Sequence, residues 1–244
     1  MKDSEPHISF FSRLLDFVAP RLCPVCGRRL SVTEETLCAS CNLHLPRTGF
    51  TTSPEDNEMA RLFWGKLTTA DSWYCPVEQA AALFRFEPSS PSSHLIYDLK
   101  YHFHPEYGEM LGKMVAKELP DSFFKDVFTI IPVPLSRKRK AQRGYNQSEM
   151  IARGISEVTG IGISTDIIVR KTFQESQTKK QWHERMENVE NAFQLKKGER
   201  IAGRRILVVD DVLTTGATIM ACCRELLKAG HVSIHVLTIC FTKN

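Results

Sequence analysis

The sequence of 244 residues lacks any apolar run approaching the ~20 residues that cross a bilayer. It has no GxxxxGK(S/T) loop, which removes the nucleotide triphosphatases built on that loop. No repeat of fixed period is evident, so a solenoid or propeller is not expected. The opening MKDSEPHISFFSRLLDFVAP carries acids near its start, and Arg13 and Asp16 interrupt its apolar part. A secretory signal is therefore not expected, and the cytoplasm is the expected compartment. Charge of one sign is scarce too, with 32 Lys and Arg against 28 Asp and Glu, a net +4. That balance permits an anionic ligand or nucleic acid without demanding either. What is present is globular in kind, 42% apolar and 25% charged. At ~150 residues per domain the length suits one full domain and a small module.

Cysteine is unevenly spread. Cys23, Cys26, Cys38 and Cys41 form CPVC and CASC, two knuckles that can bring four thiolates to one tetrahedral zinc ion. Such a shell is closed and structural, with no open position for catalysis. A redox pair and fortuitous spacing are the alternatives, and His44 is a spare ligand. Cys75, Cys222, Cys223 and Cys240 lack the knuckle spacing. Cys222 and Cys223 are expected inside a helix and Cys240 in an apolar strand, as packing residues.

Apolar spacing at Phe10, Phe11, Leu14, Leu15, Phe17 and Val18 predicts a short helix ahead of the knuckles. TGFTTSPEDN reads as a linker, followed by a helical patch at 59–64. The expected domains are 1–50, an amino-terminal helix and cysteine module; 51–79, linker and short helix; and 80–244, the main α/β domain. Within the last, AALFRFE (81–87) reads as a strand and PSSPSS (88–93) as its turn. Two helices are expected over 94–119, broken at YHFHPEYG. A βα alternation follows: strand 129–134, helix 148–158, strand 165–169, strand 205–211, helix 218–229 and strand 232–241. Continuous apolar strands separated by helices predict a parallel sheet covered on both faces.

The chemistry concentrates in ILVVDDVLTTGAT (206–218). A buried strand runs out into two acids, then a hydroxyl-rich loop, then a helix. A loop that opens a helix offers unpaired N–H groups and the positive end of the helix dipole. Thr214, Thr215 and Thr218 add hydroxyls, and Gly216 lets the backbone approach closely, so the loop suits a phosphate. Asp210 and Asp211 would repel phosphate but suit a sugar diol. A Walker B strand end, a phospho-acceptor site and a plain capped helix each explain only part of this string. Arg137, Lys138, Arg139, Lys140 and Arg143 crowd after the strand at 129–134, where ligands of open α/β sheets bind. Lys100, His102 and His104 stand in an insertion that can reach the same place. Arg170, Lys171, Gln177, Lys179, Lys180 and Arg185 form a polar stretch that reads as a lid or a surface loop, with Trp182 beside it.

VVDDVLTTGAT resembles the phosphoribosyl pyrophosphate (PRPP) loop of type I phosphoribosyltransferases. IIPVPLSRKRKAQRGYNQSEMIA (130–152) and RKTFQESQTKKQWHERMENVENAF (170–193) are similar to one branch, the ComF family, as is the amino-terminal CPVC and CASC pair. The resemblance covers nearly the whole chain. It implies a type I phosphoribosyltransferase-like parallel sheet flanked by helices, with a small zinc-ribbon-like module at the amino terminus. It further implies that Asp210 and Asp211 hold ribose hydroxyls. Thr214, Thr215, Gly216, Ala217 and Thr218 would take the 5′-phosphate, and Ser136, Arg137 and Lys138 the pyrophosphate. Arg170, Gln177, Lys179, Lys180 and Arg185 would belong to a flexible closing loop, with Mg2+ accompanying PRPP.

The function so implied is phosphoribosyl transfer to an unknown acceptor, linked to DNA uptake and natural transformation. The rival is a non-catalytic protein of the competence machinery that binds single-stranded DNA or senses PRPP. Single-stranded DNA and a competence helicase are the macromolecular partners implied, and no membrane span is expected.

Overall fold

The computed structural model describes residues 20–67, 75–88, 90–171 and 191–242. The expected helix at 10–18, and Gln177, Lys179, Lys180, Trp182 and Arg185, lie outside the described residues. The chain divides into two compact units, Met1–Leu45 and Pro46–Asn244. The smaller unit is built around the knuckles and the short helix α1, Ala39–His44.

The larger unit opens with the stretch that the sequence suggested was a linker, and that expectation needs correcting. Phe50 and Asn57 are buried, and the Thr48 hydroxyl donates to the Ala82 carbonyl. The Asn57 side chain donates to Ala80 O and caps helix α2 (Glu58–Leu67) by accepting from the Met59 and Ala60 N–H groups. The stretch is polar because its side chains satisfy backbone groups, not because water surrounds it.

The core is a four-stranded sheet. Its strands are β1 (Val77–Arg85), β2 (Val127–Pro132), β5 (Arg205–Leu213) and β6 (Ser233–Phe241), in the order β1-β6-β5-β2 and all parallel. Val208 sits opposite Ile131 on one side and Val236 on the other. Ile206 to Val209 are all fully buried, as a parallel strand covered on both faces requires.

Between β1 and β2 run three helices, α3 (Pro91–Tyr101), α4 (Pro105–Glu118) and α5 (Asp121–Phe124). PSSPSS is not simply a turn: Ser90 caps α3 and Pro91 occupies its first turn, where a missing N–H costs nothing. After β2 come α6 (Arg137–Arg143) and α7 (Gln147–Thr159). The expected strand at 165–169 shrinks to β3, Ile168–Arg170, which pairs antiparallel with β4, Phe193–Leu195, in a separate two-stranded sheet. The last helix is α8, Ala217–Leu227. Helices α4 and α7 pack together closely because a Cβ at Gly112 would collide with the Ile151 carbonyl, and one at Gly154 with the Glu109 carbonyl.

The topology decides where a ligand belongs. From β2 the chain passes outward through α7 to a parallel bridge, Ile163 beside Ile130. It then returns to lay β5 on the opposite side of β2. The order reverses between β2 and β5, and the crevice at their carboxyl ends is where open α/β sheets take ligands.

Candidate functional site

Strand β5 does not stop at the acids, as the sequence suggested, but continues to Leu213, with Asp210 opposite Thr238 and Val212 opposite Cys240. The ladder therefore holds both acid backbones rigidly. Asp211 is buried, while Asp210 keeps some exposure although protein surrounds most of it. Asp210 Oδ1 accepts from the Ser148 hydroxyl at 2.8 Å and from the Asp211 N–H at 2.9 Å. Burial, and then the neighbouring Asp211 charge, push the Asp210 pKa up to about 7. The Ser148 bond and the Lys100 charge act in the other direction without cancelling that rise.

Lys100 answers the second acid. Its Nζ lies 3.1 Å from Asp211 Oδ1, with both side chains largely enclosed. Lys100 sits in the last turn of α3, and that turn is pinned because the Tyr145 hydroxyl donates to Leu99 O at 2.6 Å. Ser148 is held by the other flank: the Asn146 side chain accepts from the Ser148 N–H, capping α7, and donates to Val133 O just beyond β2. Two elements distant in sequence, α3 and α7, thus converge on two adjacent acids. His102 and His104 stay apart from that convergence, paired with Asp98 at 2.7 Å and Glu106 at 2.6 Å.

Past β5 the chain turns through Gly216, whose φ of +78° suits glycine, and a Cβ there would also strike Met220 and Leu62. Gly216 caps α8 without a side-chain hydrogen bond to the first turn. Thr214, Thr215 and Ala217 are exposed and Thr218 half-exposed around those amides. The loop therefore presents N–H groups and hydroxyls on the positive end of an eleven-residue helix.

The basic run after β2 is a helix, an element the sequence did not suggest there. α6 buries no residue, which is why RKRKAQR gave no apolar periodicity to read. The Ser136 hydroxyl caps it by accepting from the Arg139 N–H at 3.3 Å. Arg137, Lys138, Arg139 and Lys140 are exposed along it. Arg170, at the end of β3, lies over the Phe193 ring, its guanidinium carbon 5.3 Å from the centroid. Burial, then the like charge of Arg139, hold its pKa below the usual range, against the pull of Asp210. Sequence reasoning placed Lys100 within reach but missed Ser148, which carries no motif of its own.

In the smaller unit the four knuckle sulfurs lie within 4.8 Å of one another, and Cys26 and Cys38 are 3.7 Å apart. Zn–S bonds of ~2.3 Å place tetrahedral sulfurs ~3.8 Å apart, so the cluster fits that ion. The Cys41 N–H donated to Cys38 Sγ favours a thiolate and draws that pKa down to about 7. Glu34 ties the loop between the knuckles, accepting from the Ser31 and Ala39 N–H groups and pairing with Arg28 at 2.7 Å. His44 is engaged elsewhere, its Nδ1 2.7 Å from Ser40 O. Outside this cluster, Cys75, Cys222, Cys223 and Cys240 are all buried as packing residues.

The phosphoribosyl transferase domain model matches residues 115–244, more than half of the chain. The chain belongs to that family. It is a ComF-like member: DNA utilization protein YhgH of Shigella flexneri is 28% identical over 91% of this chain and 90% of its own length. Competence protein ComFC of Bacillus subtilis is 27% identical over 87% of this chain and 74% of its own. Competence protein F of Haemophilus influenzae is 35% identical over 44% of this chain and 47% of its own. Among solved structures, a glutamine PRPP amidotransferase from B. subtilis is 21% identical with a TM-score of 0.41, over 58% of this chain but 30% of that one. An adenine phosphoribosyltransferase is 15% identical with a TM-score of 0.37, over 57% of this chain and 81% of that one.

Among the described residues no helix is long and apolar enough to cross a membrane.

Proposed function

We propose that the crevice between the carboxyl ends of β2 and β5 binds PRPP and transfers its phosphoribosyl group to an acceptor. The observation that carries this reading is the adjacency of two chemistries at one switch point. Asp210 and Asp211 offer acceptors to a diol, and the Gly216-capped start of α8 offers donors to a phosphate. In this reading the acids hold the ribose hydroxyls, and Thr214, Thr215, Gly216, Ala217 and Thr218 hold the 5′-phosphate. Ser136, Arg137 and Lys138 flank the pyrophosphate, and Arg170 with Gln177, Lys179, Lys180 and Arg185 belongs to the closing segment. As the C1–oxygen bond lengthens, positive charge grows on the ribose, and the carboxylates beneath it stabilise that charge. Lys100 keeps Asp211 oriented until the sugar arrives, and its ammonium is then available to the departing anion. Mg2+ bound with the diphosphate supplies charge neutralisation, and the open, carboxylate-floored crevice suits a hard cation that keeps much of its water.

Calorimetry with PRPP and magnesium tests the reading. Saturable binding that falls at least ~100-fold in Asp210→Ala with Asp211→Ala, two charged hydrogen-bonding groups removed together, supports it. Absence of saturation with the unaltered protein overturns it. Pyrophosphate release with an acceptor, lost in the same variant, separates an enzyme from a PRPP sensor.

A second reading, single-stranded DNA handling with a helicase partner, is favoured by the exposed cations of α6 and by what the relatives' names say of those relatives. Binding that survives the Asp210 and Asp211 changes but weakens steeply with salt and with Arg137 or Arg139 removal marks that role. We further propose that the cysteine cluster holds structural zinc in the smaller unit, which ends at Leu45, and that the transferase unit begins at Pro46. None of the eight cysteines is paired in a disulfide, which fits the reducing cytoplasm of this reading.

A further inference from the structure

A cleft of ≈ 580 Å3 is lined by Lys100, Tyr101, Phe103, Arg139, Gln142 and Arg143. Through Lys100 it adjoins the acid pair, since that side chain both lines the cleft and pairs with Asp211. One wall is aromatic, from the end of α3 and the residues after it; the other is cationic, from α6.

The aromatic wall is expensive to hold as it is. Phe103 is 66% exposed and has a φ of 58°, a left-handed conformation that a bulky side chain adopts only under constraint. Strain of this kind gathers at ligand clamps, and here it carries an apolar ring toward Gly144, the left-handed cap that ends α6. Tyr101, 54% exposed, lies tilted against Tyr97 with ring centroids 4.6 Å apart, and its ring is 5.3 Å from the Arg143 guanidinium carbon. The cationic wall has no carboxylate facing it among the described residues. Among the described residues neither Arg139 nor Arg143 has a carboxylate partner; Arg143 donates to the neutral Gln147 side chain and lies over the Tyr101 ring. Exposed rings favour a flat apolar face, and guanidinium groups favour a planar anion that accepts two bonds. A saturated acid would leave the rings wet, and a neutral ring would leave the guanidinium groups unanswered. The volume falls within the range of small-molecule sites.

We infer that this cleft is the acceptor subsite and takes a planar aromatic ring bearing a carboxylate, stacked on Tyr101 and Phe103 with its anion on Arg139 and Arg143. The acceptor role rests on the PRPP reading. In the transfer, a ring nitrogen supplies the electron pair for a new bond to ribose C1. The C1–oxygen pair leaves on pyrophosphate, and the ring nitrogen, which carried no proton, becomes the positively charged nitrogen of an N-ribosylated ring.

The test uses the full chain and pyridine-2-carboxylate as probe, followed by saturation-transfer NMR and calorimetry, with PRPP titrated in parallel. The probe is expected to saturate with a Kd on the order of 1 mM or tighter. Piperidine-2-carboxylate, which lacks the flat ring, and pyridine-2-carboxamide, which lacks the charge, should each bind about tenfold more weakly. Arg139→Gln with Arg143→Gln, and separately Tyr101→Leu, should weaken the probe by a similar factor while thermal melts confirm folding. Equal binding of the saturated acid, indifference to both variants, or competition by a thymidine oligonucleotide but never by the pyridine acid overturns the inference. Those results with PRPP still bound condemn the subsite alone. Failure of PRPP to bind the unaltered protein condemns the transferase reading and the acceptor role with it.

Discussion

Two clusters of like, ionisable groups among the described residues, the four thiols and the acid pair, are built on opposite plans. The four thiols come from residues 23–41, brought together by two local knuckles that need little from the rest of the chain. The acid pair is also local, but what makes it habitable is not: Ser148 stands 62 residues away, and Lys100 arrives from a helix before β2. Like charges brought together cost free energy unless an opposite charge or a donor answers them. On the zinc proposal the cysteine cluster leaves that answer to an ion, whereas the acid pair receives it from the fold. One site should therefore fail as a unit when its ion is lost, and the other should degrade in steps as its partners are removed.

The largest effect is expected at the cysteines. Structural zinc contributes on the order of 10 kcal/mol of apparent binding energy, more than a module this small stabilises by itself. Chelation, or Cys26→Ser, should render 20–45 protease-sensitive while leaving the melting of 46–244 in place. Metal analysis of unchelated protein should approach one zinc per chain. An intact amino-terminal segment after stripping would erase the contrast.

A smaller loss follows from Lys100→Met, which leaves Asp211 enclosed beside Asp210 without its counterion. Urea unfolding at neutral pH should show destabilisation of about 1–3 kcal/mol, and adding Asp211→Asn should recover much of it. Equal losses in the single and double variants would mean that the ion pair contributes nothing.

Asp210 supplies a pH test whose sign is fixed by its raised pKa. The native state binds that proton more tightly than the unfolded chain, so stability is fully present below the usual carboxylate value of 3.8 and declines as pH rises towards about 7. Asp210→Asn, which keeps an oxygen for Ser148 and the Asp211 N–H, should flatten this decline. By pH 8 it should stand above the parent by on the order of 2 kcal/mol, with the gap closing near pH 4. A parallel pair of pH–stability curves would show that the acid is not strained at all. Ser148→Ala should do least, about 1 kcal/mol, while raising the Asp210 pKa further by removing a donor to the charged form. Carboxyl-carbon NMR titration reads that shift directly.

Legibility in the sequence followed the range of the interactions. The buried strand ILVV, the glycine turn and the knuckle spacing are written in neighbouring residues, so their chemistry was visible without a fold. The helix at 137–143 was hidden because it buries nothing, and the apolar pattern that betrays helices was absent. The strand at 168–170 was misjudged because its antiparallel partner lies more than twenty residues on, beyond any local pattern. The stretch at 46–57 looked like a linker because Thr48 and Asn57 are polar, yet both are spent on backbone groups of β1.

Composition and spacing alone determined that this chain is an α/β protein with a four-thiol module and a strand that ends in two acids and a Thr-Thr-Gly turn before a helix, because each of those is a pattern over a few residues. Only the tertiary structure decided which lysine neutralises Asp211, which serine holds Asp210, and that rings and guanidinium groups face one cleft. Those pairings depend on where the strand order reverses, and a chain reveals that only once its distant segments have packed.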